Sequence, residues 1–206
     1  MHRLIAFGCS LTYGLGLADP EQTAWPKLLA DMYTRQCVNN GVPGASAKEI
    51  AYNILNFKFD PTDIVYINWS YFTRSCVITE KKIIQLGRWN KRFRGVKAWI
   101  AYYYNKHNER NEGFAYINLC NHFLKKKKIK TYNMLVYNGY IDYAKEFIPY
   151  HKTDFLKDCH FDEYINYYPL NSNDIDHPNE EGHAKFAKLL YDKLSLIHIS
   201  EPTRPY

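Results

Sequence analysis

Two short segments, RLIAF at 3–7 and DIVYIN at 63–68, carry apolar runs, LIAF and IVYI, at consecutive positions rather than at alternate ones. A strand with one solvated face alternates, whereas one apolar throughout is buried on both faces, as in a parallel sheet covered by helices. Amphipathic stretches stand between the two. Asp19-Pro20 opens a helix, with Asp at the N-cap and Pro at the first helical position. Its Trp25, Leu28, Leu29 and Met32 recur at helical spacing. CVNNG at 37–41 reads as a short strand ending in a turn. Ser46 and Glu49 form a capping box for a helix continued by Ile50, Ile54 and Phe57. The order β-α-β-α-β predicts a parallel sheet with helices on its faces.

Beyond residue 68 the pattern predicts helices over 77–86, 97–104 and 113–127, the last two separated by the polar stretch NKHNERNEG. IKTYNMLVYN at 129–138 restores a strand. Residues 139–172 are aromatic and irregular and receive no firm assignment. A closing helix is expected over 178–193, started by Pro178, with Ala184, Ala187 and Leu190 on one face beside Phe186 and Leu189. The chain of 206 residues suffices for one domain with a sizeable core, and it contains no internal repeat or linker. LSLIHISEPTR at 194–204 is similar to the translated end of a sequencing adapter, so the expected domain is 1–193, with 194–206 a non-native tail.

Composition narrows the partners. The five cysteines are scattered, odd in number and without a CxxC pair, which fits free thiols in a reducing, cytoplasmic setting better than disulfides or zinc. No stretch approaches the roughly 18 apolar residues of a membrane span, and LIAF is too short for a secretion leader. The net charge of +6 includes KKKK at 125–128, which suits the negative end of a helix dipole, so no nucleic-acid partner is expected.

Two segments carry chemistry. FGCSLTYGLG at 7–16 places Ser10 just past the first strand, and NDIDHPNEEGH at 173–183 places Asp174 three residues before His177. A turn at that spacing can bring a carboxylate to imidazole Nδ1 and leave Nε2 as a base. Loops at the carboxyl ends of parallel strands converge on one sheet edge, where Ser10 and His177 can meet. Gly14 and Gly16 lack the third glycine of a phosphate cradle and read as a flexible loop.

Here the sequence resembles the SGNH (GDSL-like) hydrolases. FGCSLTYG resembles their first block, with Gly8-Cys9-Ser10 in place of Gly-Asp-Ser. NNGVPGAS resembles the second block, with Gly41 as its glycine, and DIDHPNEEGH resembles the fifth. INWSYFTR stands at the third block, with Ser70 where the family has asparagine. The resemblance implies a flavodoxin-like, three-layer α/β/α sandwich with a mostly parallel sheet, needing no metal or organic cofactor. It implies Ser10 as nucleophile, His177 as base and Asp174 as its orienting carboxylate. Ser10, Gly41 and Ser70 would be the oxyanion donors. Trp69 and Arg74, flanking Ser70, are candidates to bind substrate, Arg74 by fixing an anionic group. The implied activity is hydrolysis of small acyl esters, such as O-acetyl groups on a carbohydrate. Two other readings stand beside it: an acyltransferase using the same acyl-serine, and a catalytically silent domain binding glycan or protein. Cys9 is a rival nucleophile by intrinsic reactivity, but it and Ser10 leave the strand on opposite sides. His183 fits a structural partner better than chemistry. A metal site from Asp174, Asp176, His177 and His183 is conceivable by ligand type alone.

Overall fold

The computed structural model describes residues 2–90, 93–137, 139–147, 155–156, 158–161, 169–171 and 174–200; for 144–147, 169–171, 174–176 and 196–200 it describes the backbone alone. A four-stranded parallel sheet forms the centre, in the order β2-β1-β3-β6. Its strands are β1 (Arg3–Gly8), β2 (Gln36–Gly41), β3 (Ile64–Trp69) and β6 (Lys130–Leu135). The expected burial holds in the middle of this sheet. Leu4, Ile5 and Ala6 of β1, and Val65 and Ile67 of β3, are wholly inaccessible to solvent. The edge strand β2, sequence QCVNNG, has no fully buried residue, as its polar composition requires.

Helices cover both faces. On one, α3 (Trp25–Met32) packs against the closing helix, here α8 (Glu180–Ser200). On the other, α4 (Ala47–Leu55) packs against α6 (Lys106–Lys126). The fold is therefore the three-layer α/β/α sandwich that the sequence predicts. From β1 the chain crosses to β2 on one side, and from β3 it crosses to β6 on the other. The direction of winding reverses between β1 and β3, and a crevice opens outside their carboxyl ends.

Several boundaries differ from expectation. The helix opened at Asp19 is two pieces, α2 (Pro20–Thr23) and α3, because Ala24 is extended and Pro26 has no N–H to continue the first helix. Met32 is exposed and Phe57 lies beyond the end of α4. Residues 77–86 do not form a helix. They belong to an antiparallel hairpin of β4 (Ser75–Ile78) and β5 (Ile83–Leu86). Its TEKK loop closes when the Lys82 N–H donates to Thr79 Oγ1 (3.0 Å) and the Thr79 N–H to the Lys82 carbonyl (3.0 Å). β-Branched residues at 77–79 and 83–84 favour the strand over the helix. The helix expected at 97–104 is α5 (Arg94–Ala98) running into a wider turn at Trp99–Tyr103. The polar stretch before residue 113 is no separator: Asn105 caps α6 by accepting from the N–H groups of His107 (3.0 Å) and Asn108 (3.1 Å). A short helix, α7 (Gly139–Phe147), begins the segment left unassigned. Pro178 ends a strand rather than starting a helix. It closes β8 (Asp174–Pro178), which pairs with β7 (Pro169–Asn171), and Asn179 then caps α8 by accepting from the Gly182 N–H (2.9 Å).

The buried face of α8 is His183, Phe186, Ala187, Leu190 and Leu194, whereas Ala184 is exposed. Leu194, the first residue of the segment read as a tail, packs in the core, and the α8 backbone continues to Ser200. His183 performs the structural task expected of it. Its Nδ1 accepts the Trp25 N–H at 3.1 Å, satisfying a donor at the buried start of α3 that has no partner within the helix. Phe161 lies edge-on to the imidazole, with ring centroids 5.0 Å apart.

Burial, with a smaller contribution from the charge of His177, pushes His183 down from its ordinary value of 6.5 to about 3. A base with a depressed folded-state value stays neutral in the native protein while the unfolded chain takes up a proton. Its contribution is therefore complete above pH 6.5 and declines as pH falls toward 3. Urea unfolding at pH 7 and pH 5 should show a loss of about 2 kcal/mol from this residue. His183→Asn should remove that share of the pH dependence.

Candidate active site

Ser10 begins α1 (Ser10–Tyr13), a single turn that follows β1 through the extended Cys9. The Cys9 carbonyl accepts from Thr12 (3.0 Å) and Tyr13 (2.9 Å), which folds the chain back sharply at the strand end. The residue pair separates as strand geometry predicts. Cys9 lies in the hydrophobic core, and Ser10 faces a cleft of about 690 Å³ at the sheet edge. Gly44, Tyr71, Arg74, Trp89 and His177 also line this cleft. Ser10 and His177, from opposite ends of the chain, therefore border the same space beyond β1 and β3.

α1 is held tightly against the neighbouring strand. Asn39 of β2 donates from Nδ2 to the Thr12 carbonyl (2.9 Å), and its Oδ1 accepts the Gly41 N–H (3.0 Å). A Cβ on Gly41 would stand 2.3 Å from the Tyr13 backbone nitrogen. Gly41 is thus a contact point for α1. Its N–H is already engaged, and the residue does not border the cleft, contrary to the expected oxyanion role.

The glycine that does reach the cleft is Gly44. Val42-Pro43-Gly44-Ala45 is a β-turn closed by the Ala45 N–H to the Val42 carbonyl (3.0 Å), with Gly44 at φ +81°. Proline followed by a glycine of positive φ is the signature of a type II turn, and the PG pair is plain in the sequence. Among the described residues no group accepts the Gly44 N–H. The Pro43 carbonyl accepts from Gln85 Nε2 (2.8 Å), which also donates to Glu49 Oε2 (3.1 Å). Burial pushes the Glu49 carboxyl up, with the Gln85 bond opposing. The β4–β5 hairpin is thereby fastened to the turn that carries Gly44. It also walls a second cavity of about 670 Å³, apolar in lining, which shares Gln85 and Asn90 with the cleft.

The third-block residues separate. Trp69 does not line the cleft: it is wholly buried, donating from Nε1 to Asn133 Oδ1 (2.9 Å) across the β3–β6 pair. Ser70 is also wholly buried and lies outside the cleft lining, where its Oγ accepts from Arg74 Nη1 at 3.1 Å. Arg74 is the member that reaches the cleft. Its guanidinium sits 5.1 Å from the centroid of Tyr71 and 4.8 Å from that of Trp89.

His177 is half-buried near the end of β8. Position 174 lies in the same strand rather than in the turn that the spacing suggested, and the β7–β8 ladder has a register shift between Pro169 and Asn171. The side chains of Asp174 and Asp176 fall outside the described residues. His183 is committed to Trp25, which takes it out of the conceivable metal set.

This architecture matches solved structures over nearly its whole length. The psychrotrophic esterase EstA from Pseudoalteromonas sp., in a structure inhibited by monoethylphosphonate, superposes with a TM-score of 0.57 at 14% identity, covering 96% of this chain and 99% of that one. TesA gives 0.59 at 14% identity, covering 95% and 99%. A G-D-S-L lipolytic protein from Veillonella parvula DSM 2008 gives 0.51 at 14% identity, covering 98% and 100%. The fold is that of the SGNH (GDSL-like) hydrolases. No family model and no curated protein matches the sequence. No helix among the described residues is long and apolar enough to cross a membrane.

Because Gly41 supports α1 by close approach, Gly41→Ala should force that turn, and Ser10 with it, away from β2. The expected cost is about 1–3 kcal/mol, read as a lowered urea midpoint with unchanged slope.

Proposed function

We propose that this protein is a serine esterase that hydrolyses small acyl esters. The observation that carries the reading is the joint lining of one cleft by Ser10 and His177 at the winding reversal of the sheet. Ser10 Oγ attacks the ester carbonyl while His177 accepts its proton. Asp174 orients the imidazole and stabilises its charge. The backbone N–H groups of Ser10 and Gly44 receive the oxyanion of the tetrahedral intermediate; Gly44 replaces Gly41, whose N–H is held by Asn39. His177 then protonates the departing alcohol, and water attacks the acyl-serine to release the acid.

A two-domain esterase active on acetylated mannans, co-crystallised with mannopentaose, shares the fold with a TM-score of 0.56 at 14% identity, covering 99% of this chain and 52% of that one. It supports O-acetyl groups on a carbohydrate as the substrate class.

Turnover of p-nitrophenyl acetate tests the reading. Ser10→Ala should lower kcat by about 10³-fold or more, and His177→Ala comparably. Cys9→Ala, in the core, should leave kcat within about threefold. Asp174→Ala should cost activity where Asp176→Ala does not. Loss with Cys9→Ala alone would move the nucleophile. The absence of both turnover and fluorophosphonate labelling would favour a silent binding domain.

A further inference from the structure

We infer that the Arg74 guanidinium, rather than the Ser70 hydroxyl, is the side-chain donor to the developing oxyanion. The inference rests on the esterase reading and adds a catalytic residue to it. Addition of Ser10 Oγ to the carbonyl carbon converts C=O to C–O⁻ while the serine proton passes to His177. The new negative charge appears on one oxygen and needs donors already in place. Two backbone N–H groups bear no net charge. Arg74 is the one arginine or lysine among the described residues lining the cleft.

Its surroundings fix it for this task. Tyr71 and Trp89 hold the guanidinium through their ring faces, and one Nη1 hydrogen is engaged by Ser70 Oγ. Aromatic faces attract the cation without consuming its in-plane N–H groups, so most of its five donors remain for a ligand. No carboxylate among the described residues forms an ion pair with Arg74. Glu109 and Glu112, which share a small neighbouring pocket with it, are not within pairing distance. Ser70 is sealed from the cleft and accepts from the guanidinium. It is a positioning residue. Arg74 donates hydrogen bonds and transfers no proton, so proton balance is unchanged.

The alternative task for such an arginine, gripping an anionic group on the substrate, is separated by a neutral ester. With p-nitrophenyl acetate, Arg74→Ala should lower kcat by about 10²-fold and leave KM within a few fold. Guanidinium chloride at tens of millimolar should restore part of that kcat, which a merely structural loss would not allow. Arg74→Lys, which keeps the charge but not the fork, should fall between, and keeps the test open if the alanine variant does not fold. Ser70→Ala should lose less than Arg74→Ala. A kcat for Arg74→Ala and Arg74→Lys within threefold of wild type, an effect confined to KM or to anionic esters, a kcat loss that guanidinium does not relieve, or a larger loss for Ser70→Ala would each overturn the assignment. Wild-type protein without Ser10-dependent turnover would remove the esterase reading and Arg74 together. Ser10-dependent turnover with unaffected arginine variants would remove Arg74 alone.

Discussion

The site depends on how closely one helical turn can lie against strand ends. α1 must leave β1, reverse, and sit over the end of β2 before the chain moves on. Backbone meets backbone there: the space beside Gly41 is filled by the Tyr13 main chain. A side chain larger than hydrogen at that point would lift the turn and carry Ser10 out of the cleft. Asn39 completes the attachment by bonding both partners at once, the Thr12 carbonyl and the Gly41 N–H. Serine placement is thus set by main-chain contact and an amide clamp, and the cleft inherits its geometry from an edge strand with little apolar burial of its own.

The opposite wall is built differently. The β4–β5 hairpin and Trp89 lie outside the central sheet and reach the cleft through polar links, Gln85 to Pro43 and to Glu49. Arg74 sits in the connection from β3 to β4, directly before the hairpin, and its head is held by Tyr71 and Trp89. Ser10 therefore belongs to the sheet, and the charged, aromatic face opposite belongs to the segment after β3 that is braced against it.

Much of this was legible in the residues. Uninterrupted apolar runs such as LIAF signal a doubly covered sheet because no face can be left wet, and Ser10 lies just past a strand end as read, whereas His177 lies within β8 and not in the turn that its spacing from Asp174 suggests. The misreadings have physical causes. Residues 77–86 contain apolar pairs that fit a helical period, but β-branching at 77–79 and 83–84 favours the hairpin. The polar run before residue 113 hid an asparagine cap, because side-chain capping has no hydrophobic signature. Trp69 reads as a site residue by its adjacency to Ser70, but it is wholly buried and its Nε1 donates to Asn133 on β6. Gly41 and Gly44 are three apart in one motif. Only turn chemistry separates them, one bound by close approach and the other by positive φ.

The bond from the Trp25 N–H to His183 spans 158 positions. During synthesis the start of α3 emerges early, yet its buried donor has no acceptor until α8 leaves the ribosome. The layer that α3 and α8 form over the sheet therefore cannot be sealed at Trp25 until the C-terminal helix has docked.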